Sequence, residues 1–172
     1  GISSLKLSLL LTENQIKERV KAIAGQINAK YGGEPLLAIC VLKGAFIFFS
    51  DLVRFLTIPD LDIDFIRVSS YGNRTSSSGN VELIDNIKQD VRKRHVLIVE
   101  DIVDSGRTML FLKEMFMAKG SPGFSIATLL DNVDRRVVDI KPEFSGFQIN
   151  DFVVGYGMDY AGYYRNLPDI YR

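Results

Sequence analysis

The stretch from His95 to Thr108 reads HVLIVEDIVDSGRT and decides the fold of this chain. Its first five residues, His95–Val99, form an apolar run typical of a buried strand, and an amphipathic run follows its Ser-Gly-Arg-Thr end. This order predicts that Glu100, Asp101 and Asp104 lie between the end of a strand and the start of a helix. In parallel sheets, that edge is where ligands bind.

The turn Ser105–Thr108 has the composition of a phosphate site. A helix N-terminus leaves backbone N–H groups unpaired and carries partial positive charge, so it attracts a dianionic phosphate. Gly106 lets the backbone approach closely, and the two hydroxyls add donors. The same turn is also an ordinary helix N-cap, with Asp104 or Ser105 as the capping residue.

The acidic pair Glu100 and Asp101 favours the binding site over the simple cap. Two carboxylates beside a phosphate would repel it unless they face something else, such as sugar hydroxyls or a metal ion. A phosphorylated sugar satisfies both parts of the stretch.

The ten residues VEDIVDSGRT, Val99–Thr108, resemble the phosphoribosyl-diphosphate-binding motif of the type I phosphoribosyltransferases, in the hypoxanthine-guanine branch. Further matches run from about Leu11 to Tyr164. The resemblance implies that Glu100 and Asp101 address the ribose hydroxyls and that Asp104 takes the proton of purine N7. It also implies a group of residues around the 5′-phosphate: Asp104, Ser105, Gly106, Arg107 and Thr108.

The order of predicted elements indicates an α/β protein with a central, mainly parallel twisted sheet flanked by helices. We expect one domain over residues 1–172, with a small hood made by the N-terminal arm and the C-terminal segment. Thr12 is the expected N-cap of the first helix. The predicted helices are Thr12–Lys30, Ala45–Phe55 and Arg107–Lys119. The predicted strands are Leu36–Leu42, Ile63–Val68, Val81–Ile84, His95–Val99, Phe124–Leu130, Phe147–Ile149 and Phe152–Val154.

Composition excludes several other classes of protein. Twenty-one basic residues balance 21 acidic ones, so no overall field attracts nucleic acid or a membrane surface. The single cysteine, Cys40, excludes an intrachain disulfide, and its apolar neighbours indicate a buried, inert thiol. We therefore expect a cytoplasmic protein that binds neither nucleic acid nor membrane. The lone His95 begins a strand and is expected to be structural.

Lys43 and Gly44 also follow a predicted strand, so they reach the same edge of the sheet. A Lys-Gly pair alone is typical of a solvated turn. In the family, the matching pair forms a pyrophosphate loop, often with a non-proline cis peptide. The resemblance therefore implies that Lys43 and Gly44 bind pyrophosphate. It implies the same role for Arg165 near the C-terminus, which could otherwise form a surface salt bridge.

The polar stretch Ser69–Asn80, SSYGNRTSSSGN, has too few apolar residues to pack and is predicted to be a mobile loop. Its Ser70 and Tyr71 resemble the start of the family's closing loop. That loop excludes water from the reacting centre, which protects an activated sugar from hydrolysis.

The segment FVVGYGMDY, Phe152–Tyr160, resembles the family's purine-binding segment. Phe152 then supplies a stacking ring, and Val153 supplies main-chain hydrogen bonds to the base. Asp159 faces the metal and the purine, and the implied metal ligands are Glu100, Asp101 and Asp159. For Phe152 and Val153 the alternative is packing in the core.

One position departs from the family pattern. In the segment LLDNVDRR the family commonly has a lysine that donates to the purine 6-oxo group, and this chain has Asn132. An amide still donates a hydrogen bond but carries no charge, so the contact is expected to be weaker.

The resemblance implies an enzyme that uses Mg²⁺ to transfer phosphoribosyl from phosphoribosyl diphosphate to hypoxanthine or guanine. The products are IMP or GMP and pyrophosphate, and the protein is expected to be a homodimer or homotetramer. Two alternatives stay open. One is an RNA-binding regulator of the same fold, which should show a basic face. The other is a phosphoryl-accepting receiver domain, against which the Ser-Gly-Arg-Thr cradle argues.

Overall fold

A computed structural model describes residues 6–71 and 80–172 of the chain. Within these ranges, three α-helices and one 3-10 turn accompany eight strands. The helices are α1 Glu13–Tyr31, α2 Phe46–Arg54 and α3 Arg107–Ala118, and the 3-10 turn is Val133–Arg135. The strands are β1 Leu9–Leu11, β2 Leu36–Leu42, β3 Leu61–Tyr71, β4 Asn80–Asp85, β5 His95–Val103, β6 Phe124–Asp131, β7 Phe144–Gln148 and β8 Ile170–Tyr171.

Six strands form the central sheet in the order β4-β3-β2-β5-β6-β7. All neighbours are parallel except β3 and β4, which are antiparallel. The mainly parallel sheet predicted from the sequence is therefore confirmed. The small antiparallel pair β1 and β8 joins the N-terminal arm to the C-terminal segment.

Strand β2 is buried on both faces because helices cover both sides of the sheet. Ala38 and Cys40 pack in the cluster that also contains α1 and α2 residues, while Leu37 and Ile39 pack in the cluster that contains α3 residues. Burial, with the charges of Glu100 and Asp101, raises the pKa of Cys40 to about 12, so the thiol stays protonated.

Helix α1 begins as the sequence predicts. The Thr12 side chain accepts a hydrogen bond from the Gln15 backbone N–H, and the Gln15 side chain accepts one from the Thr12 N–H. This capping box satisfies two N–H groups that the helix itself leaves unpaired.

Several predicted boundaries were wrong. Strand β5 does not stop at Val99 but continues to Val103, because β6 pairs with it along that length, to Asp131. Residues Ser69–Tyr71 of the predicted loop belong instead to β3 and Asn80 belongs to β4, where the two strands pair. The predicted strand Phe152–Val154 is only an isolated bridge, in which Val154 pairs with Tyr171.

Within the described ranges, no helix combines the length and apolar character needed to cross a membrane. His95 lies at the start of β5, far from the carboxyl edge of the sheet. Its Nε2 lies 3.0 Å from the Tyr31 hydroxyl and 2.7 Å from Ser125 Oγ. The expectation of a structural histidine agrees with these contacts.

Burial lowers the pKa of His95 below its ordinary value near 6.5. Between the two values the unfolded chain binds a proton that the folded chain does not, so the free energy of unfolding falls as the pH is lowered through that window. The free energy of unfolding changes by at most about 1.4 kcal/mol per pH unit in this window. Urea unfolding at about pH 7.5 and at about pH 5.5 measures this change.

His95→Gln removes the titrating group and is expected to flatten this pH dependence. Because the chain has a single histidine, the difference between the two proteins isolates the imidazole. An identical pH dependence for wild type and variant would contradict the assignment.

Candidate active site

The site lies where the strand order reverses, between the carboxyl ends of β2 and β5. Gly44 follows β2, and Asp101 lies near the end of β5. The two approach so closely that a Cβ at Gly44 would be 2.9 Å from Asp101 Cγ and would overlap Asp101 Oδ2. The peptide bond between Leu42 and Lys43 is cis, one bond before the Lys43–Gly44 bond.

The continuation of β5 sends its two acidic side chains to different cavities, because successive strand residues point to opposite faces. Glu100 borders a cavity of about 700 Å³, and Asp101 borders a crevice of about 300 Å³. Burial, followed by the charge of the adjacent Asp101, raises the pKa of Glu100 well above its ordinary value.

The larger cavity contains the predicted phosphate turn, since Ser105, Gly106, Arg107 and Thr108 all border it. The N-cap of α3 is Gly106, in the left-handed conformation, and neither Asp104 nor Ser105 caps the helix. Ser105 Oγ instead accepts a hydrogen bond from the Arg107 backbone N–H at 3.3 Å. Among the described residues, Arg107 Nε is buried without a hydrogen-bond partner.

Asp104 borders both the larger cavity and the smaller crevice. Its carboxylate accepts a hydrogen bond from Asn132 Nδ2 at 3.1 Å. Its backbone carbonyl accepts one from Arg136 Nε at 3.0 Å. The Asp104 carboxylate therefore stands between the predicted phosphate turn and the predicted base-binding segment.

The smaller crevice brings together residues from five separate parts of the sequence. Those predicted as site residues are Gly44, Asp101, Asp104, Asn132, Phe152, Val153, Asp159 and Arg165. Phe152 is 69% exposed, and its ring meets the edge of Tyr160 at a centroid distance of 6.2 Å. A planar ligand can therefore reach the Phe152 ring from solvent.

The Arg165 side chain is oriented by two contacts with the segment that precedes it in the chain. Its Nη1 donates to the Gly157 carbonyl at 2.7 Å, and its Nη2 lies 3.4 Å from Asp159 Oδ2. The segment is anchored on α2, because the buried Tyr156 hydroxyl donates to Asp51 at 2.5 Å. Burial and this contact raise the pKa of Tyr156, so it donates throughout the physiological range.

The remaining predicted site residues lie directly after β2 and at the end of β3. Lys43 is exposed beside Gly44. Ser70 and Tyr71 form the last two positions of β3, and their predicted lid continues into residues 72–79, which lie outside the described residues.

Sequence reasoning missed Arg136. Besides the Asp104 carbonyl, it bonds the Asp131 carboxylate and the Ile140 carbonyl, so it holds Asp104 in position. The feature that could have identified it is the Arg-Arg pair in LLDNVDRR, which lies close to the end of β6 and therefore near the carboxyl edge of the sheet.

Over residues 6–71 and 80–172, no three His, Cys, Asp or Glu side chains form a ready metal cage. Asp101 and Asp159 do border one crevice, and Glu100 precedes Asp101 in the chain. Mg²⁺ is commonly held by one or two carboxylates together with substrate phosphates rather than by an all-protein cage. The oxygen donors present fit such an ion.

A glycine-containing turn at a helix N-terminus, beside carboxylates at a strand switch point, is an arrangement in which α/β proteins bind phosphorylated ligands. The chain matches the phosphoribosyl transferase domain over residues 8–161. It is 45% identical over 163 residues to the hypoxanthine-guanine phosphoribosyltransferase of Bacillus subtilis, a match that covers 94% of this chain and 90% of that protein.

The corresponding Aquifex aeolicus protein is 41% identical over 172 residues, which cover 99% of this chain and 96% of that protein. A crystal structure of a hypoxanthine-guanine phosphoribosyltransferase from Bacillus anthracis has a TM-score of 0.91 at 45% identity and covers 95% of this chain and 96% of that chain. The chain therefore belongs to the phosphoribosyltransferase family, in its hypoxanthine-guanine branch. The predicted type I fold is confirmed.

Gly106→Ala is expected to lower the free energy of unfolding by about 1–3 kcal/mol. Gly106 has a φ of +88°, and an added Cβ would lie 2.8 Å from Arg136 Cδ and 3.0 Å from Val138 Cγ2. Urea unfolding of the variant and the wild type gives the difference.

Gly25→Ala is the matched control. Gly25 lies inside α1, where an added Cβ meets nothing within 4 Å. This variant is expected to be more stable than wild type by about 0.5–1 kcal/mol, because alanine loses less backbone entropy on folding. Equal effects at the two glycines would contradict the strain assigned to the phosphate turn.

Proposed function

We propose that this chain transfers the phosphoribosyl group from phosphoribosyl diphosphate to a 6-oxopurine, hypoxanthine or guanine. The products are IMP or GMP and pyrophosphate, so the reaction salvages free purine bases. The observation that carries the proposal is the place of Asp104, on the wall shared by the phosphate-turn cavity and the base crevice. A proton acceptor is needed at that junction when a base attacks a phosphorylated sugar.

The 5′-phosphate binds the turn Ser105–Thr108 at the start of α3. The helix end offers backbone N–H groups and partial positive charge, and the two hydroxyls add donors. The buried Arg107 Nε is a further donor that a phosphate oxygen would satisfy.

The ribose hydroxyls face Glu100 and Asp101, whose oxygens accept their hydrogen bonds. Glu100 and Asp101, with Asp159 across the crevice, are also the proposed ligands of Mg²⁺. When bound, such an ion would supply charge neutralisation for the pyrophosphate leaving group.

The pyrophosphate is held by Lys43, Gly44 and Arg165. Gly44 provides a backbone approach that a side chain would block, because an added Cβ would overlap Asp101 Oδ2. The Arg165 guanidinium borders the same crevice and can form a bidentate hydrogen bond to a phosphate group. Its pairing with Asp159 keeps the guanidinium in place before substrate binds.

The purine stacks on the exposed ring of Phe152, and Val153 hydrogen-bonds the base edge through its main chain. Asn132 lies beside Asp104 at the other end of the crevice and contacts the base on that side. These contacts align the ring nitrogen that attacks the sugar with the sugar carbon.

In the reaction, the bond from the sugar carbon to pyrophosphate breaks as the purine N9 forms its bond to the same carbon. Positive charge develops on the sugar, and the carboxylates around it offset that charge. Asp104 accepts the N7 proton, which leaves the product base neutral. Ser70 and Tyr71 begin the segment that closes over the site and excludes water.

The chain is further proposed to form one domain, to act in the cytoplasm, and to bind neither nucleic acid nor membrane. A homodimer or homotetramer is proposed because apolar side chains are exposed on one side of the sheet. Ile63 and Phe65, two residues apart on β3, are 42% and 45% exposed, and Phe46 on α2 is 42% exposed. Such a surface favours self-association.

Asp104→Asn tests the proposed base. The variant is expected to lower turnover by about 10²- to 10⁴-fold, because the amide cannot accept the N7 proton. Phosphoribosyl diphosphate should still bind with nearly unchanged affinity, measured by calorimetry, since the phosphate turn stays intact. Wild-type turnover in this variant would refute the role of Asp104.

A further inference from the structure

Three consecutive residues of the C-terminal segment, Gly155, Tyr156 and Gly157, adopt left-handed backbone conformations. Their φ values are +98°, +51° and +96°. Glycine adopts such values freely, but a residue with a Cβ does so only at a cost in free energy. Tyr156 therefore needs contacts outside its own backbone to keep this conformation.

Tyr156 obtains those contacts from α2 and from the chain that follows Arg165. Its side chain is buried, and its hydroxyl donates to Asp51 Oδ2 at 2.5 Å. The other carboxylate oxygen of Asp51 accepts from Arg54 Nη2 at 2.7 Å, so the carboxylate is held between two donors. The Tyr156 backbone N–H donates to the Leu167 carbonyl at 2.8 Å. The turn is thus joined to α2 through the Tyr156 side chain.

Gly157, the next residue, contacts both Gly44 and Arg165, which are proposed to bind pyrophosphate. A Cβ at Gly157 would lie 2.6 Å from the Gly44 carbonyl oxygen, so only a glycine lets the two backbones come this close. The Gly157 N–H donates to the Arg165 carbonyl at 2.8 Å, and the Gly157 carbonyl accepts from Arg165 Nη1 at 2.7 Å. Gly157 therefore sets the spacing between Gly44 and Arg165.

These contacts close on themselves. Helix α2 begins two residues after Gly44 and contains Asp51. The hydroxyl bond leads from Asp51 to Tyr156, and the next residue, Gly157, packs against Gly44 again. The only side-chain bond in this closed path is the one from Tyr156 to Asp51. Without it, the turn is no longer fixed to the helix that follows Gly44.

The base side of the same segment is anchored separately. Val154 and Tyr171 of β8 exchange two backbone hydrogen bonds, each of 2.9 Å. Phe152 and Val153 directly precede this bridge, so their position does not depend on the Tyr156 hydroxyl. Loss of that hydroxyl should therefore disturb the pyrophosphate side of the crevice and spare the base side.

We propose that Tyr156 is a positioning residue for the pyrophosphate group of the substrate. It acts through Gly157 rather than by contact with the substrate. Its bond to Asp51 keeps the Arg165 guanidinium in a fixed place relative to Gly44, so that both contact one pyrophosphate. This inference rests on the proposed function, in which Gly44 and Arg165 hold that group.

Two ligands test the inference by calorimetry. Phosphoribosyl diphosphate, measured with Mg²⁺, carries the pyrophosphate, whereas IMP has the same 5′-phosphate and a base in its place. Tyr156→Phe removes the hydroxyl and keeps the ring. It is expected to weaken the binding of phosphoribosyl diphosphate by about 3- to 10-fold, the value of one hydrogen bond, and to change IMP binding by less than about 2-fold.

Asp51→Ala removes the same bond from the α2 side and is the second variant, with the Tyr156 ring and hydroxyl intact. It should give the same pattern. The double variant should bind phosphoribosyl diphosphate about as weakly as either single variant, because both changes remove one bond. Tyr163→Phe is the matched control, since Tyr163 lies in the same segment and is 57% exposed. It should leave both affinities unchanged.

A bond that only stabilised the fold would weaken both ligands alike when it is lost. Equal weakening of phosphoribosyl diphosphate and IMP, or unchanged binding of phosphoribosyl diphosphate in both single variants, would therefore overturn the positioning role and leave the proposed function in place. A wild-type chain that binds neither ligand would instead refute the proposed function and this inference with it.

Discussion

The parallel hydrogen bonding of β2 to β5 is the constraint on which the whole site depends. The pairing runs from Leu36 opposite His95 to Cys40 opposite Val99, so both strands deliver their carboxyl ends to one edge. The chain leaves β2 for one side of the sheet and β5 for the other, which opens a crevice between the two ends. Gly44 and Asp101 lie close together in that crevice because the strand register places the two strand ends side by side.

The chemistry of the site follows from the further pairing of β5 with β6. That pairing extends through Val103 opposite Asp131, which carries the acidic residues within the strand rather than into a loop. Glu100 then borders the larger cavity, and Asp101 borders the smaller crevice. Asp104, just beyond the strand, is left on the wall between them. Arg136 and Asn132 hold it there through its backbone and its carboxylate.

Much of this arrangement could be predicted from the sequence because its signals are local. The strand, the phosphate turn and α3 are contiguous, and Thr12 with Gln15 marks the start of α1 within four residues. The exact end of β5 could not be predicted, since it is set by a partner strand and not by its own acidic residues. The strand β8 has two residues and pairs with a segment about 160 positions earlier. No local sequence pattern predicts the pairing of two such distant strands.

The contact between Asn132 and Asp104 is also non-local. The sequence identified both residues as site residues, but only the fold shows that one donates to the other across 28 positions. The bond between Tyr156 and Asp51, which anchors the purine segment on α2, spans 105 positions and was not expected. Such bonds depend on how whole helices and strands pack together, whereas a sequence motif predicts only the local structure around it.

The most direct test of the account is steady-state release of pyrophosphate from phosphoribosyl diphosphate and Mg²⁺ with hypoxanthine, guanine, xanthine, adenine or uracil. We expect turnover with 6-oxopurines and little or none with adenine and uracil, because the proposed site offers donors to a C6 acceptor beside a base at N7. No turnover with any base, despite measurable binding of phosphoribosyl diphosphate, would contradict the proposed function. That result would favour a non-catalytic regulator with the same fold.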